Sequence, residues 1–354
     1  MNFFCKAVFL FIIFFSKFSF GQIIVSDDVY LCESTEVVLE ATANGTDGTN
    51  TGISSDDTFG GVINIGFNFD FYGNTYNQCV ISSNNYLSFE IGNANGYSGW
   101  NIGAAVPDNT APLNAILCPW QDINPGIGGN IQYSLSGVAP NRVFTVTFCA
   151  IPMFSCTDIC YTSQIKLFET TNIIETHISE KPLCADWNGG AAIHALHNNN
   201  GTIANVVTGP DGVIRNFPNQ WTAFEDGYRF TPNGNNDYVI DQIEYQPVIT
   251  GNTVTWLDID GNIIGSGNTI TVNPTESTTY FAQAQLCEGG GCAGFGGGTV
   301  EDGVDIIFEN ISVNYETIPA SCGWESEPDG QIISNPTGTG PFDFFWTNEA
   351  GILV

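Results

Sequence analysis

Carboxylates dominate the groups in this chain that could do chemistry, with 37 Asp and Glu against 7 Lys and Arg. Secreted acidic β-domains use such oxygens as hard ligands for calcium. Asp56 with Asp57, or Asp108 with Asp122, could hold an ion at loop ends, against the simpler reading of a solvated acidic surface. No cofactor is expected apart from calcium at these four residues. Asp258-Ile259-Asp260-Gly261-Asn262 opens like an EF-hand loop, but the required Gly falls at Ile263 and no helical pattern flanks it. A β-hairpin is expected there instead.

Catalytic signatures are missing. Gly96-Tyr97-Ser98-Gly99 breaks the G-x-S-x-G spacing, and no H-E-x-x-H occurs. Paired acid/base carboxylates need a defined separation, which sequence does not supply. No catalytic residue is assigned, and the chain is read as a non-enzyme. His194 and His197 are three apart and could share a metal-binding helix face, but Gly189-Gly190 and Asn198-Asn199-Asn200 favour a short strand ending in a turn. His177 is expected on a strand's polar face. Tyr97, Trp100 and Trp187, set among Gly and Asn, could stack on sugar rings or join a core.

The first 21 residues give a context for the cysteines. One basic residue in Met1–Lys6, an apolar run from Ala7 to Phe15 and the small-residue end Ser19-Phe20-Gly21 form a secretory signal peptide, with cleavage expected after Gly21. The run is too short for a membrane span, which needs about 20 apolar residues. Cys5 precedes it, which argues against a lipoprotein. Cys32, Cys79, Cys118, Cys149, Cys156, Cys160, Cys184, Cys287, Cys292 and Cys322 follow. In an oxidising compartment these read as disulfides, since Cys156-x3-Cys160 and Cys287-x4-Cys292 lack the paired short spacings of zinc sites. Cys156 and Cys184 are the first candidate pair. They bracket a hairpin-like stretch, and closing their loop should stabilise by about 3 kcal/mol in the chain-entropy model.

Net charge also excludes partners. A formal charge of −30, or −32 once the signal is removed, leaves no basic cluster for phosphates, so nucleic acid is not a partner and anionic membranes are disfavoured. The hydrophobic content of 43% argues against disorder.

The elements that must position these groups are strands. Ile63 to Phe71 alternates apolar and polar at every residue, and Phe144–Phe148, Gln164–Leu167 and Thr269–Val272 repeat the pattern. Turn signals separate them, among them Asn124-Pro125-Gly126 and Pro210-Asp211-Gly212. The expected fold is all-β, with β-sandwich domains in tandem. Ala43 to Asp57 and Thr231 to Asp237 read as boundaries.

Three resemblances refine this. Ile65–Gly73, Val80–Phe89 and Pro119–Pro125, with Ala139–Arg142, Phe154–Cys156, Lys181–Cys184 and Trp187–Gly190, resemble the nidogen-like N-terminal domain of large bacterial surface proteins. Val254–Asp258, Gly261–Gly265, Val272–Pro274 and Thr278–Tyr280 are similar to bacterial Ig-like adhesin domains. Cys322-Gly323, Asp329–Ile332 and Pro341–Asn348 resemble the opening of the SprB-type repeat of gliding-motility adhesins, with Phe342 and Phe344 where that family usually has Tyr. The organisation read from this is a signal peptide (1–21), an N-terminal strand or linker (22–45), a nidogen-like domain (46–233), an Ig-like sandwich (234–313) and the start of a SprB-type repeat (314–354) that stops short, as in a fragment of a longer protein. Cys322 would then lack its partner.

The resemblances imply a secreted cell-surface adhesin, a non-catalytic binding module in surface attachment or gliding. Its partner would be a polysaccharide or another cell-surface ligand, and outer-membrane secretion and attachment machinery, of type IX, is implied with it. The rivals are a carbohydrate-active enzyme with accessory Ig-like domains and a purely structural stalk.

Overall fold

The computed structural model describes residues 23–43, 48–234, 236–287, 298–308, 312–318 and 331–337. The signal segment 1–21, Cys292, Cys322 and most of the expected third unit lie outside the described residues. Within them the chain is all-β, built as two pairs of sheets followed by a hairpin. Among the described residues no helix is long and apolar enough to cross a membrane.

The first pair sets a seven-stranded sheet against a six-stranded one. In spatial order the larger runs Tyr238–Ile243, Ala223–Pro232, Ile174–Lys181, Cys160–Phe168, Val143–Pro152, Asn130–Ser136 and Thr49–Asn50. The smaller runs Ala204–Val206, Ile193–His197, Ala115–Trp120, Tyr86–Ser88, Asn74–Ser82 and Ile63–Phe71. Alternation does the sorting: Ile63, Ile65, Phe67, Phe69 and Phe71 are buried while the residues between them face solvent. They meet Phe89, Phe144, Phe148 and Tyr161 in one core, where a fully buried side chain of this size contributes about 1.5–3 kcal/mol. Gly66 sits at φ 96°, a backbone conformation that favours glycine, and a methyl group there would also push the Leu135 side chain aside.

The strand Val143–Pro152 departs from the half-buried pattern expected of its alternating sequence, because Thr145 and Thr147 are buried as well. Thr147, Gln164 and His177 are register partners on adjacent strands, and the connector 244–248 lies against their row through Gln246, whose N–H donates to His177 Nδ1 at 3.2 Å. The outer face of this sheet is therefore covered along that row. His177 lies on this polar row beside Gln164, and it is fully buried there.

The second pair packs a three-stranded sheet (Ile23–Val25, Val37–Ala43, Thr269–Val272) on a five-stranded one (Ile263–Ser266, Ile249–Leu257, Thr278–Leu286, Thr299–Phe308, Val29–Leu31). Trp256 is its central side chain, fully buried among Leu39, Val254, Ala282 and Val304, with its indole N–H donating to Gly267 O at 3.0 Å. The segment 22–45 is more than a lead-in. Val37–Ala43 buries every second residue and pairs with Thr269–Val272, and Val29–Leu31 runs parallel to Ile306–Phe308. The chain thus starts the second sandwich, leaves it after Ala43, builds the first, and returns at Ile249.

One expected boundary and one expected turn differ for local reasons. Thr231 to Asp237 is a tight hairpin and not a linker: Pro232 pairs with Tyr238, and Asn233 N–H donates to Asp237 O at 2.9 Å. Residues 238–243 therefore extend the first sandwich. At Asp258–Asn262 the hairpin is present, but Gly261 alone has positive φ, so it is not the two-residue type I′ turn that Asp-Gly suggests. Asp258 Oδ1 accepts the Asp260 and Asn262 amides and closes the loop with side-chain bonds.

Cys156 and Cys184, the pair expected from the loop they bracket, form a disulfide with Cα atoms 5.9 Å apart. A second disulfide, Cys149–Cys287, joins the first sandwich to the second. Cys160 is disulfide-bonded as well. Beyond the two sandwiches, Ser312–Ile318 pairs antiparallel with Gln331–Thr337.

Candidate functional site

Several loops converge at one end of the first sandwich and bring Asp56, Asp57 and Asp122 together, with one carboxylate oxygen of each within 4.8 Å of the others. They arrive from two chain segments. Asp122 follows the strand Ala115–Trp120; its own carbonyl accepts Phe154 N–H at 3.2 Å, and its neighbour Ile123 bridges to Met153. Asp56 and Asp57 end the loop 51–57, pinned where Thr58 bridges Tyr97 and Ser98 N–H donates to Asp57 O at 2.9 Å. Asp57 has a left-handed backbone, φ 51°, which Asp tolerates better than most residues.

Buried amides line the floor. Asn84 Nδ2 donates to Asp57 Oδ1 at 2.9 Å and to Ser98 O at 3.2 Å, and Gln121 N–H donates to Asn84 O at 3.4 Å. The adjacent Asn85, at φ 65°, ties the same turn to the strand end through Cys118 O and Pro119 O. Asn84 and Gln121 are almost wholly buried, yet Asn84 Oδ1 and both amide atoms of Gln121 have no hydrogen-bond partner. Asp122 Oδ1 is in the same position, while its Oδ2 accepts the Trp187 indole N–H at 2.7 Å.

The electrostatics follow from burial and like charge. Burial, reinforced by Asp57, pushes Asp56 up to about 6. Burial also raises Asp57, against the Asn84 hydrogen bond. Asp122 is pushed up to about 7, chiefly by burial and further by the like charges of Asp56 and Asp57, against the lowering effect of the Trp187 hydrogen bond. No Lys, Arg or His forms an ion pair with any of the three among the described residues.

Aromatic side chains surround this cluster. Trp187 packs against Trp100 at 5.4 Å and Phe154 at 4.8 Å between ring centroids, and Tyr97 stands 70% exposed beside them. A small pocket opens between Asp122, Phe154, Trp187 and Asn188. The Cys156–Cys184 disulfide staples the two loops that carry Phe154 and Trp187.

Of the four carboxylates expected as ligands, Asp108 lies elsewhere. Its carboxylate accepts the Thr110 amide and hydroxyl in a local turn, which holds it below the usual range, and its backbone N–H faces His197. His197 pairs with Ala115 and Ile193 with Trp120, so Asp108 and Asp122 sit at opposite ends of that strand pair. His194 and His197 do occupy a strand, both buried: His194 bonds Thr176 Oγ1 at 2.9 Å, and His197 bonds Pro112 O at 2.8 Å. Sequence reasoning missed Asn84 and Gln121. The available signal was the Asn84-Asn85 pair between two apolar runs, which marks a turn.

Residues 30–232, more than half of the chain, match the model of the family described as NIDO related. No curated protein and no solved structure matches the chain.

Proposed function

The chain belongs to the NIDO-related family, and from that premise we propose that it is a secreted cell-surface adhesin, a non-catalytic module that attaches to polysaccharide or another cell-surface ligand. A NIDO-related domain is of extracellular type, and two disulfides fit an oxidising compartment. Export behind the 1–21 signal segment by type IX secretion, an Ig-like identity for the second sandwich, and a SprB-type repeat from residue 314 belong to the same reading, with a role in gliding or attachment.

The observation that carries it is the gathering of Tyr97, Trp100 and Trp187 beside Asp56, Asp57 and Asp122 at one loop end. Aromatic faces stack on sugar rings, and fixed carboxylates accept the hydroxyls around them. The test immobilises the purified chain and measures retention of surface polysaccharides and of whole cells, alongside a glycosidase and protease screen. Binding weakened by Trp100→Ala or Tyr97→Ala supports adhesion. Hydrolysis lost in Asp122→Asn would overturn it in favour of an enzyme.

The stalk reading has its own observation, the covalent Cys149–Cys287 joint between sandwiches, which suits a rigid spacer. Absence of both binding and turnover favours it.

A further inference from the structure

We propose that Asp56, Asp57 and Asp122 form a calcium site that clamps the loop 51–57 to the chain leaving the strand Ala115–Trp120. An acidic cluster on its own is commonplace. Here it sits on buried oxygens that have no other use. Asp122 is 6% exposed, its Oδ2 is fixed by the Trp187 indole, and its Oδ1 lacks a partner. Asn84 is fully buried and is held at the cluster by its own Nδ2, which donates to Asp57 Oδ1 at 2.9 Å; the oxygen of that same amide lacks a partner. The large majority of buried side-chain polar atoms are satisfied, so the orphaned oxygens of Asp122 and Asn84 at this cluster point to a bound cation.

The donor set selects the metal class. All the available atoms are carboxylate or amide oxygens, which excludes the nitrogen and sulfur ligation typical of zinc. Calcium accepts irregular arrays of such oxygens, including amide carbonyls, whereas magnesium demands near-ideal octahedral geometry and keeps its waters. Among the described residues no Lys or Arg forms an ion pair with the three carboxylates, which gives the site the charge that a divalent cation offsets. The inference needs only this geometry, so it stands whether or not the aromatic face holds a glycan.

Trp187 supplies a direct reporter, because its indole nitrogen is 2.7 Å from Asp122. The chain, stripped with EDTA, is titrated with Tb3+ under tryptophan excitation, and calcium is then used to compete. Calorimetry and thermal unfolding with Ca2+ and Mg2+ accompany it. The expected result is saturable sensitised Tb3+ emission displaced by Ca2+, and a Ca2+-dependent rise in Tm that Mg2+ does not match. Asp122→Asn should weaken Ca2+ binding by more than about tenfold. Asp56→Asn, at a less buried position, should weaken it in a chain that still folds, and Asp108→Asn should leave it unchanged. No Ca2+ binding by the unsubstituted chain, or a Ca2+ affinity that neither Asp56→Asn nor Asp122→Asn changes, would overturn the proposal. Loss of glycan binding with Ca2+ affinity intact would count against the adhesion reading alone.

Discussion

Cys149 and Cys287 are 138 residues apart in the chain and 5.6 Å apart at their Cα atoms, one in the central strand region of the first sandwich and the other at the close of a strand of the second. Val248 and Ala150 pack around them, and Cys287 N–H donates to Val248 O at 2.8 Å. The joint is thus covalent, hydrogen-bonded and buried. It closes the polypeptide path that leaves the second sandwich after Ala43 and re-enters it at Ile249.

Removing this bond should therefore loosen the joint before it unfolds either sandwich. In the chain-entropy model a loop of this length is worth about 5 kcal/mol, most of it against the fully unfolded chain. Cys149→Ser with Cys287→Ser is expected to lower the Tm and broaden the distribution of inter-sandwich orientations. Small-angle scattering checks the second effect: an unchanged radius of gyration and unchanged flexibility would show that packing at Val248 holds the joint without the disulfide.

A second prediction concerns the buried cation of the first core. Arg215 is 2% exposed, pairs with Asp226, and lies over Trp221 at 4.4 Å and Tyr228 at 5.2 Å from the ring centroids. Asp226→Ala leaves that guanidinium without its carboxylate and should cost about 3–5 kcal/mol. Replacing both partners, Arg215→Met with Asp226→Leu, removes the uncompensated charge and should recover much of the loss. Urea denaturation of the unsubstituted chain and the two variants decides it, since an equal cost for the single and double changes would mean that packing around Arg215, not charge, is what matters.

The strands were readable because one face of each is apolar, as Ile63–Phe71 and Val37–Ala43 show. Their partners were not, because pairing depends on contacts far apart in sequence. Nothing in residues 22–45 says that Leu39 meets Ile270. The alternation of Phe144–Phe148 signals a strand but cannot reveal that 244–248 covers its polar side. The acidic cluster shows the same limit. Asp56 and Asp57 are visibly adjacent, but whether Asp122 or Asp108 joins them depends on which end of the strand pair each occupies. Asn84 and Gln121 carry no charge to draw notice and matter only through burial.

The last prediction follows from the covered face. His177 is fully buried, and burial pushes it down to about 4. Its Nδ1 accepts Gln246 N–H at 3.2 Å, so the ring is neutral with its proton on Nε2. Nε2 faces Glu175 Oε2 at 3.5 Å, and this carboxylate favours the proton against burial, while Lys166 and Arg229 add positive charge that disfavours it. Tyr245, from the connector, closes over the ring at 6.3 Å between centroids. In the unfolded chain the imidazole takes up a proton near 6.5, so between there and about 4 the unfolded state binds more protons than the folded one. Its contribution is therefore complete above about 6.5 and is lost as pH falls through about 4, a difference on the order of 3 kcal/mol. His194, held well below the usual range by burial and Arg215, acts in the same direction. Asp56 and Asp122, raised by burial, act in the opposite one, so the total slope is a balance and the difference between variants is the clean measure. His177→Gln should be less stable than the unsubstituted chain at pH 7, and the gap should narrow on acidification to pH 4. Parallel denaturant titrations at pH 7, 5.5 and 4 read it directly, and a gap that stays constant across the series would show that His177 does not titrate with unfolding.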